Sequence, residues 1–279
     1  MNSNPTGLSS QLQSGQIPTT MYNRETQEAR IVDTVAITAI IVYLAQLVGQ
    51  GYGQGISKAL TFLNSRLVPD EIEGRMLWCF NPFYPPDWED TAFIIWLLVR
   101  AGLISVDLLS PTRDLLIANS ESEKGTGVWV KDDYSPHNSG SYWDPTSSIN
   151  ILRLHFLLGG LGETTKRTVE YVTRSLSSIE SFMNSTLFYT PPVAAFFAER
   201  LLTDHPNEVC AELADVITAF GRTVRRHCYG MTLIERALLG LPSEYDDNPP
   251  PQECLLFHHG NRQQIGYGSR ALAMAHRLH

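Results

Sequence analysis

Apolar residues recurring at spacings of three and four, in segment after segment of roughly 10 to 20 residues, constrain this chain more than any other feature. That spacing collects apolar side chains on one face of a 3.6-residue helix, and a helix so patterned has to bury that face against a neighbour. The segments are 26–49, 55–66, 89–102, 111–119, 145–159, 163–176, 191–203, 206–226, 231–240 and 268–278, the first carrying Ile31, Val35, Ile40, Val42 and Leu47. Several ends have a mechanism. Ser110-Pro111 and Asp144-Pro145 each offer a capping side chain followed by proline at the first helical position, and Gly102 and Gly159-Gly160 stand where helices close. Strand signals are nearly absent: only Gly127-Val128-Trp129-Val130 reads as extended, inside a polar stretch, 120–143, that reads as one long loop.

The expectation is an all-α protein. Helices of similar length joined alternately by short and long loops suit a stack of helical hairpins, which can close into a ring with its functional loops at one end, although periodicity alone does not show closure. No Pro- or Ser-rich linker divides the helical region, and Pro249-Pro250-Pro251 makes only a stiff elbow, so one domain is expected over 21–279. Residues 1–20, rich in Ser, Gln, Asn and Gly, have neither a basic nor an apolar targeting region and are expected to be a disordered leader.

Composition narrows the function. With 29 acidic against 21 basic side chains, a net charge of -8 and no basic block, a nucleic-acid surface is not expected. The four cysteines, Cys79, Cys210, Cys228 and Cys254, form no C-x-x-C pair and suggest reduced thiols in a cytoplasmic protein. The longest apolar stretch, 35–48, includes Thr38 and Gln46 and is shorter than the roughly 20 residues that span a bilayer.

The chemistry concentrates in Asp87-Trp88-Glu89-Asp90-Thr91, set directly before the apolar run 92–99. Acidic residues there can simply cap a helix and favour its dipole. They can also crowd one site with more negative charge than it can hold, so that one carboxyl stays protonated and serves as a general acid. Phe83, Tyr84, Trp88 and Trp96 nearby would supply aromatic faces for a cation formed by such protonation.

The stretch 87–92, Asp-Trp-Glu-Asp-Thr-Ala, resembles the D-x-D-D-T-A signature of class II terpene cyclases, the family of squalene-hopene cyclase and the copalyl-type diterpene cyclases. Tyr142-Trp143-Asp144-Pro145, then Asn150-Ile151-Leu152-Arg153-Leu154 and Leu157-Leu158-Gly159, is similar to the D-P-x-x-N-A-N-V-L-R-x-L-x-x-L-G stretch of single-domain bacterial relatives. Phe188-Tyr189-Thr190-Pro191-Pro192 and Tyr267-Gly268-Ser269-Arg270-Ala271-Leu272 are similar to two further segments, in the family's order. The resemblance implies an alpha-alpha toroid of the (α/α)6 type, with the acidic motif above an apolar cavity. It implies Glu89 as the acid that protonates an alkene or epoxide of a prenyl or meroterpenoid substrate, with Asp87 and Asp90 as its supports. Trp88, Tyr84, Trp96, Trp143, Asn150 and Tyr189 would line the substrate, with no cofactor or metal, in a cytoplasmic protein open to homodimer or peripheral membrane contact. Glu89 stands where the family carries Asp, and its extra methylene would move the proton by on the order of 1.5 Å.

Other readings stay beside this one. The same toroid could bind an isoprenoid or other lipid without chemistry, or use its carboxyls to hydrolyse a glycoside. Cys228, Cys254, His258 and His259 could hold zinc, although Cys228 sits beside a helix end and Cys254 follows a proline run. Arg222, Arg225 and Arg226 could hold a diphosphate or be solvated helix charges, and His155 reads as a core histidine.

Overall fold

The computed structural model describes residues 11–23, 25–47, 53–68, 74–121, 123–130, 142–227, 231–241, 255–259 and 265–268. The described residues are mostly helical. Where one domain is expected over 21–279, the contacts fall into two compact units: one formed by 1–66, 187–193 and 228–279, the other by 67–186 and 194–227.

The first unit combines helices with a sheet that periodicity does not reveal. Strands β1 (Thr19–Asn23) and β2 (Glu28–Val32) form a hairpin, and β1 also pairs antiparallel with β8 (Ile265–Gly268), which pairs with β7 (Leu255–His259). The helix expected over 26–49 is therefore shorter, α1 (Ala36–Leu47), with a strand in place of its first turns. Turn chemistry outweighs periodicity there. Asn23 Oδ1 accepts from the N–H groups of Glu25 (2.9 Å) and Thr26 (3.2 Å), and Gln27 takes φ of 59°, which reverses the chain and sets Glu28–Val32 against β1. The expected 268–278 helix lies outside the described residues apart from Gly268, which ends β8.

Helix α2 (Gln54–Ser65) packs on α1, burying Ile56, Ala59, Leu60 and Leu63 against a helix apolar on nearly every side. Part of the expected leader belongs to this core. Ile17 is fully buried with its N–H on Thr38 Oγ1 (3.0 Å), and Thr19 shares a hydrogen bond with Thr34 (2.7 Å). Gly15, at φ +95°, lies so close to α2 that a Cβ would come within 2.1 Å of the Lys58 carbonyl oxygen. Near the end of this unit, α10 (Leu233–Leu238) opens on a capping box: Glu235 accepts from Thr232 N–H (2.8 Å) and donates its own N–H to Thr232 Oγ1 (3.3 Å).

The second unit begins with a minimal ladder, β3 (Trp78–Cys79) against β4 (Pro86–Asp87), and passes directly into α3 (Trp88–Arg100). A 3-10 turn, Val106–Leu109, precedes α4 (Ser110–Ala118), and the short hairpin β5 (Ser120–Glu121) and β6 (Gly125–Thr126) follows. Then come α5 (Pro145–Leu157), α6 (Glu163–Ser175), α7 (Ile179–Ser185), α8 (Pro191–Asp204), which belongs to this unit from Ala194, and α9 (Ala211–Arg226). Helix α5 is the centre: Pro145 to Phe156 are all buried, with α3 on one side and α6 on another. A helix buried all round contrasts with α6 and α9, which keep a polar face.

The expected caps hold in part. Asp144 caps α5 through Oδ1, which accepts from the N–H groups of Thr146 (2.8 Å) and Ser147 (3.2 Å). Gly102 and Gly160 close α3 and α5 with N–H bonds five residues back, Leu103 to Leu98 (2.9 Å) and Gly160 to His155 (2.8 Å), each with positive-φ glycines. Ser110, expected as a cap, is instead the first residue of α4 and makes no capping bond, because the preceding 3-10 turn continues into the helix and Ser105 caps that turn. Helix α7, unmarked by periodicity, is a seven-residue element capped by Ser178. Among the described residues no helix is long and apolar enough to cross a membrane.

Candidate active site

The acidic motif folds as a strand-to-helix junction. Asp87 ends β4, its backbone extended at φ -127°, ψ 153°, and serves as the N-cap of α3. Its two oxygens are both engaged, Oδ1 by Asp90 N–H (2.7 Å) and Oδ2 by Phe80 N–H (3.1 Å). The segment expected to be extended locks this junction: Asp87 bridges Trp129, Trp88 N–H donates to Val128 O (2.7 Å) and Val130 N–H to Pro86 O (3.1 Å). The capping and crowded-site readings of this motif are therefore compatible, with Asp87 serving as the cap.

The three carboxyl groups differ in surroundings. Asp87 and Asp90 are buried at 4% and 8% exposure, whereas Glu89 is half-buried. Burial pushes Asp87 up to about 7, even though the N–H groups of Asp90 and Phe80 work in the opposite direction. Burial raises Asp90 well above the carboxylate range, and the charges of Asp87 and Glu89 and a hydrogen bond with Asp87 add to the effect. Both buried carboxyls are thus shifted toward the neutral form, chiefly by the loss of water around them. Cys79, beside them, is pushed up to about 12 by burial and by the Asp87 and Asp90 charges, and is a thiol.

Glu89 points the other way, toward α5. Ser147 Oγ donates to Oε2 (2.6 Å) and Asn150 Nδ2 to Oε1 (3.0 Å). Ser147 and Asn150 stand three apart on one helical face and are both buried, and the Asn150 carbonyl oxygen has no hydrogen-bond partner. Contacts between the helices advance in step, Glu89 with Ser147 and Asn150, then Phe93 and Trp96 with Arg153, so α3 and α5 run in the same direction. Both N-termini lie at the acidic cluster, where their dipoles favour negative charge.

The aromatic residues divide. Trp88, one position before Glu89 and so about 100° round the helix, is fully buried, with its indole N–H on Asn119 Oδ1 (3.2 Å). Trp96 shares the Glu89 face two turns on, but is buried. Its indole N–H is bound to His205 Nε2 (3.2 Å), and the guanidinium groups of Arg100 (4.7 Å) and Arg153 (5.4 Å) lie over its ring. Tyr84 stacks on Trp129 with ring centres 6.1 Å apart, and adjoining Phe83 is 91% exposed. Trp143 is held by Gly125 O (3.4 Å) and lies under the Lys124 ammonium (5.0 Å). Tyr189 is buried and belongs to the first unit.

Sequence reasoning missed Ser147, Arg153 and Asn119. The spacing of Ser147 to Asn150 was the available signal for the first. Of the other candidates, Arg225 is engaged by the Glu199 carboxylate, and its neighbours Arg222 and Arg226 lie on the same helix, α9. His155 is fully buried, with neither ring nitrogen hydrogen-bonded, and burial lowers it to about 3, so it is neutral. Among the described residues no group of three or more His, Cys, Asp or Glu side chains is arranged to hold a metal ion; His258 and His259 fall on β7, and Cys228 and Cys254 lie outside the described residues. Comparison of the chain with protein-family models and with curated proteins gives no match in either case.

Proposed function

We propose that this chain is a cytoplasmic class II-type terpene cyclase that protonates an alkene or epoxide of a prenyl or meroterpenoid substrate, with Glu89 as general acid. The observation that carries the proposal is the hydrogen bond between Glu89 and Asn150, which joins the two sequence segments most similar to that family across 61 positions. Access favours Glu89 among the three carboxyls. Asp87 and Asp90 are buried, Asp87 has both oxygens on backbone N–H groups, and only Glu89 keeps appreciable exposed surface. We further propose that the helices close as an (α/α)6-type toroid; the parallel course of α3 and α5, with α4 between them in sequence, supports that arrangement. No cofactor enters this reaction.

The test is product formation from farnesyl, geranylgeranyl and epoxy-prenyl substrates by the purified chain and by Glu89→Gln. Removing a general acid is expected to slow turnover by about a hundredfold or more. Equal product from both proteins would remove Glu89 as the acid.

The guanidinium groups over Trp96 favour a second reading, because a ring already facing two cations is a poor partner for a third. In it the chain binds an isoprenoid or another lipid without turning it over. Lipid retained in native mass spectrometry, with no product from any of the substrates above, would select that reading.

A further inference from the structure

We infer that Ser147 and Asn150 are positioning residues that act through Glu89, a pair of donors aimed at the negative charge that develops on its carboxyl as the proton leaves. This rests on the proposal that Glu89 is the general acid. The geometry gives each oxygen its own donor. Asn150 Nδ2, which has only hydrogens to offer, donates to Oε1 at 3.0 Å. Ser147 Oγ donates to Oε2 at 2.6 Å, within the range of a charge-assisted O–H···O bond.

In the step, the O–H bond of the Glu89 carboxyl breaks and its electron pair stays on that oxygen. The proton bonds to the substrate through the π pair of an alkene, or through a lone pair of an epoxide oxygen. The substrate gains one positive charge and Glu89 one negative charge. Both donor bonds strengthen at that moment, because a carboxylate is a better acceptor than a carboxylic acid, and so they favour the transition state over the ground state.

The donors are fixed in advance. Ser147 is fully buried in the first turn of α5, and its N–H is held by Asp144 Oδ1 (3.2 Å); Asn150 is 2% exposed, one helical turn on. The positive end of the α5 dipole points the same way. A glutamate has one more rotatable bond than an aspartate, and anchoring both its oxygens compensates for that freedom. Such anchoring matters because a misplacement of about 1 Å can slow a reaction by roughly a hundredfold.

The experiment uses the full chain with Ser147→Ala and Ser147→Thr. The carboxylic-acid C=O stretch of Glu89 is isolated as the infrared difference between each protein and the same protein carrying Glu89→Gln. Turnover of geranylgeranyl diphosphate is measured in parallel, and far-ultraviolet circular dichroism checks the fold. The stretch should move in Ser147→Ala and return in Ser147→Thr, with kcat down about a hundredfold in the alanine variant, KM little changed, and most of the rate restored by threonine. A stretch unmoved in Ser147→Ala, or moved equally in both variants, would overturn the assignment. If Glu89→Gln turns the probe over as fast as the natural sequence, the cyclase reading fails, and the infrared arm still decides whether Ser147 holds Glu89.

Discussion

Asp87 and Asp90 sit one turn apart at the start of α3, and their burial makes stability depend on pH in a direction opposite to that of ordinary paired carboxylates. The folded state holds Asp87 at about 7, whereas the ordinary value is 3.8, and Asp90 is displaced the same way. Between those values the folded chain binds more protons than the unfolded one, so this contribution is fully present below about pH 4 and is lost as pH rises through about 7. Asp90→Asn keeps an N–H donor beside Asp87 and removes the charge. Urea midpoints measured from about pH 4 to about pH 7.5 should therefore fall less steeply with pH in that variant than in the natural sequence, and the variant should be the more stable of the two at neutral pH. Crowding of the three acids could be read from their spacing. That burial raises Asp87 and Asp90 could not, because what covers them comes from outside the motif, as does the Phe80 N–H on Asp87.

At the scale of elements, the N-terminus of α5 is the piece on which the site depends. Asp144 Oδ1 holds the Thr146 and Ser147 N–H groups, and Oδ2 accepts from Thr186 Oγ1 (2.9 Å), which ties α5 to the segment after α7. Asp144→Ala removes a cap, worth about 1 kcal/mol, and leaves buried N–H and hydroxyl groups without their acceptor, so a total loss of roughly 2–3 kcal/mol is expected. Asp144→Asn, which keeps the capping oxygen, should lose markedly less; urea denaturation of both variants checks this. Caps of this kind were legible because they involve residues within three or four positions. The hairpin of β1 and β2 was not. Its apolar residues at 31 and 35 fit a helical spacing, and only the Asn23 turn and the pairing of β1 with β8 override it.

Across the whole molecule, the buried polar groups of the second unit depend on one another. Arg153, fully buried in α5, pairs with Asp204 of α8 and donates to Phe197 O (3.1 Å), while Arg100 reaches Asp204 from α3 at 3.7 Å. Three helices thus converge on one carboxylate. Arg153→Met should destabilise by about 3–5 kcal/mol because it removes the buried cation paired with the Asp204 carboxylate, and adding Asp204→Leu should recover most of that loss. Fluorescence is a suitable readout, since all five tryptophans, at 78, 88, 96, 129 and 143, belong to this unit.

The sequence by itself determined the helical majority, the caps at Asp87 and Asp144, the glycine ends of α3 and α5, and the crowding of three acids in one turn. All of these follow from residues a few positions apart, where backbone geometry leaves little choice. Only the tertiary structure decided that Glu89 meets Ser147 58 positions away, that Trp88 faces the core, that guanidinium groups cover Trp96, and that β1 and β8 share a sheet. Those outcomes depend on which buried faces find each other, and local periodicity carries no record of the partner.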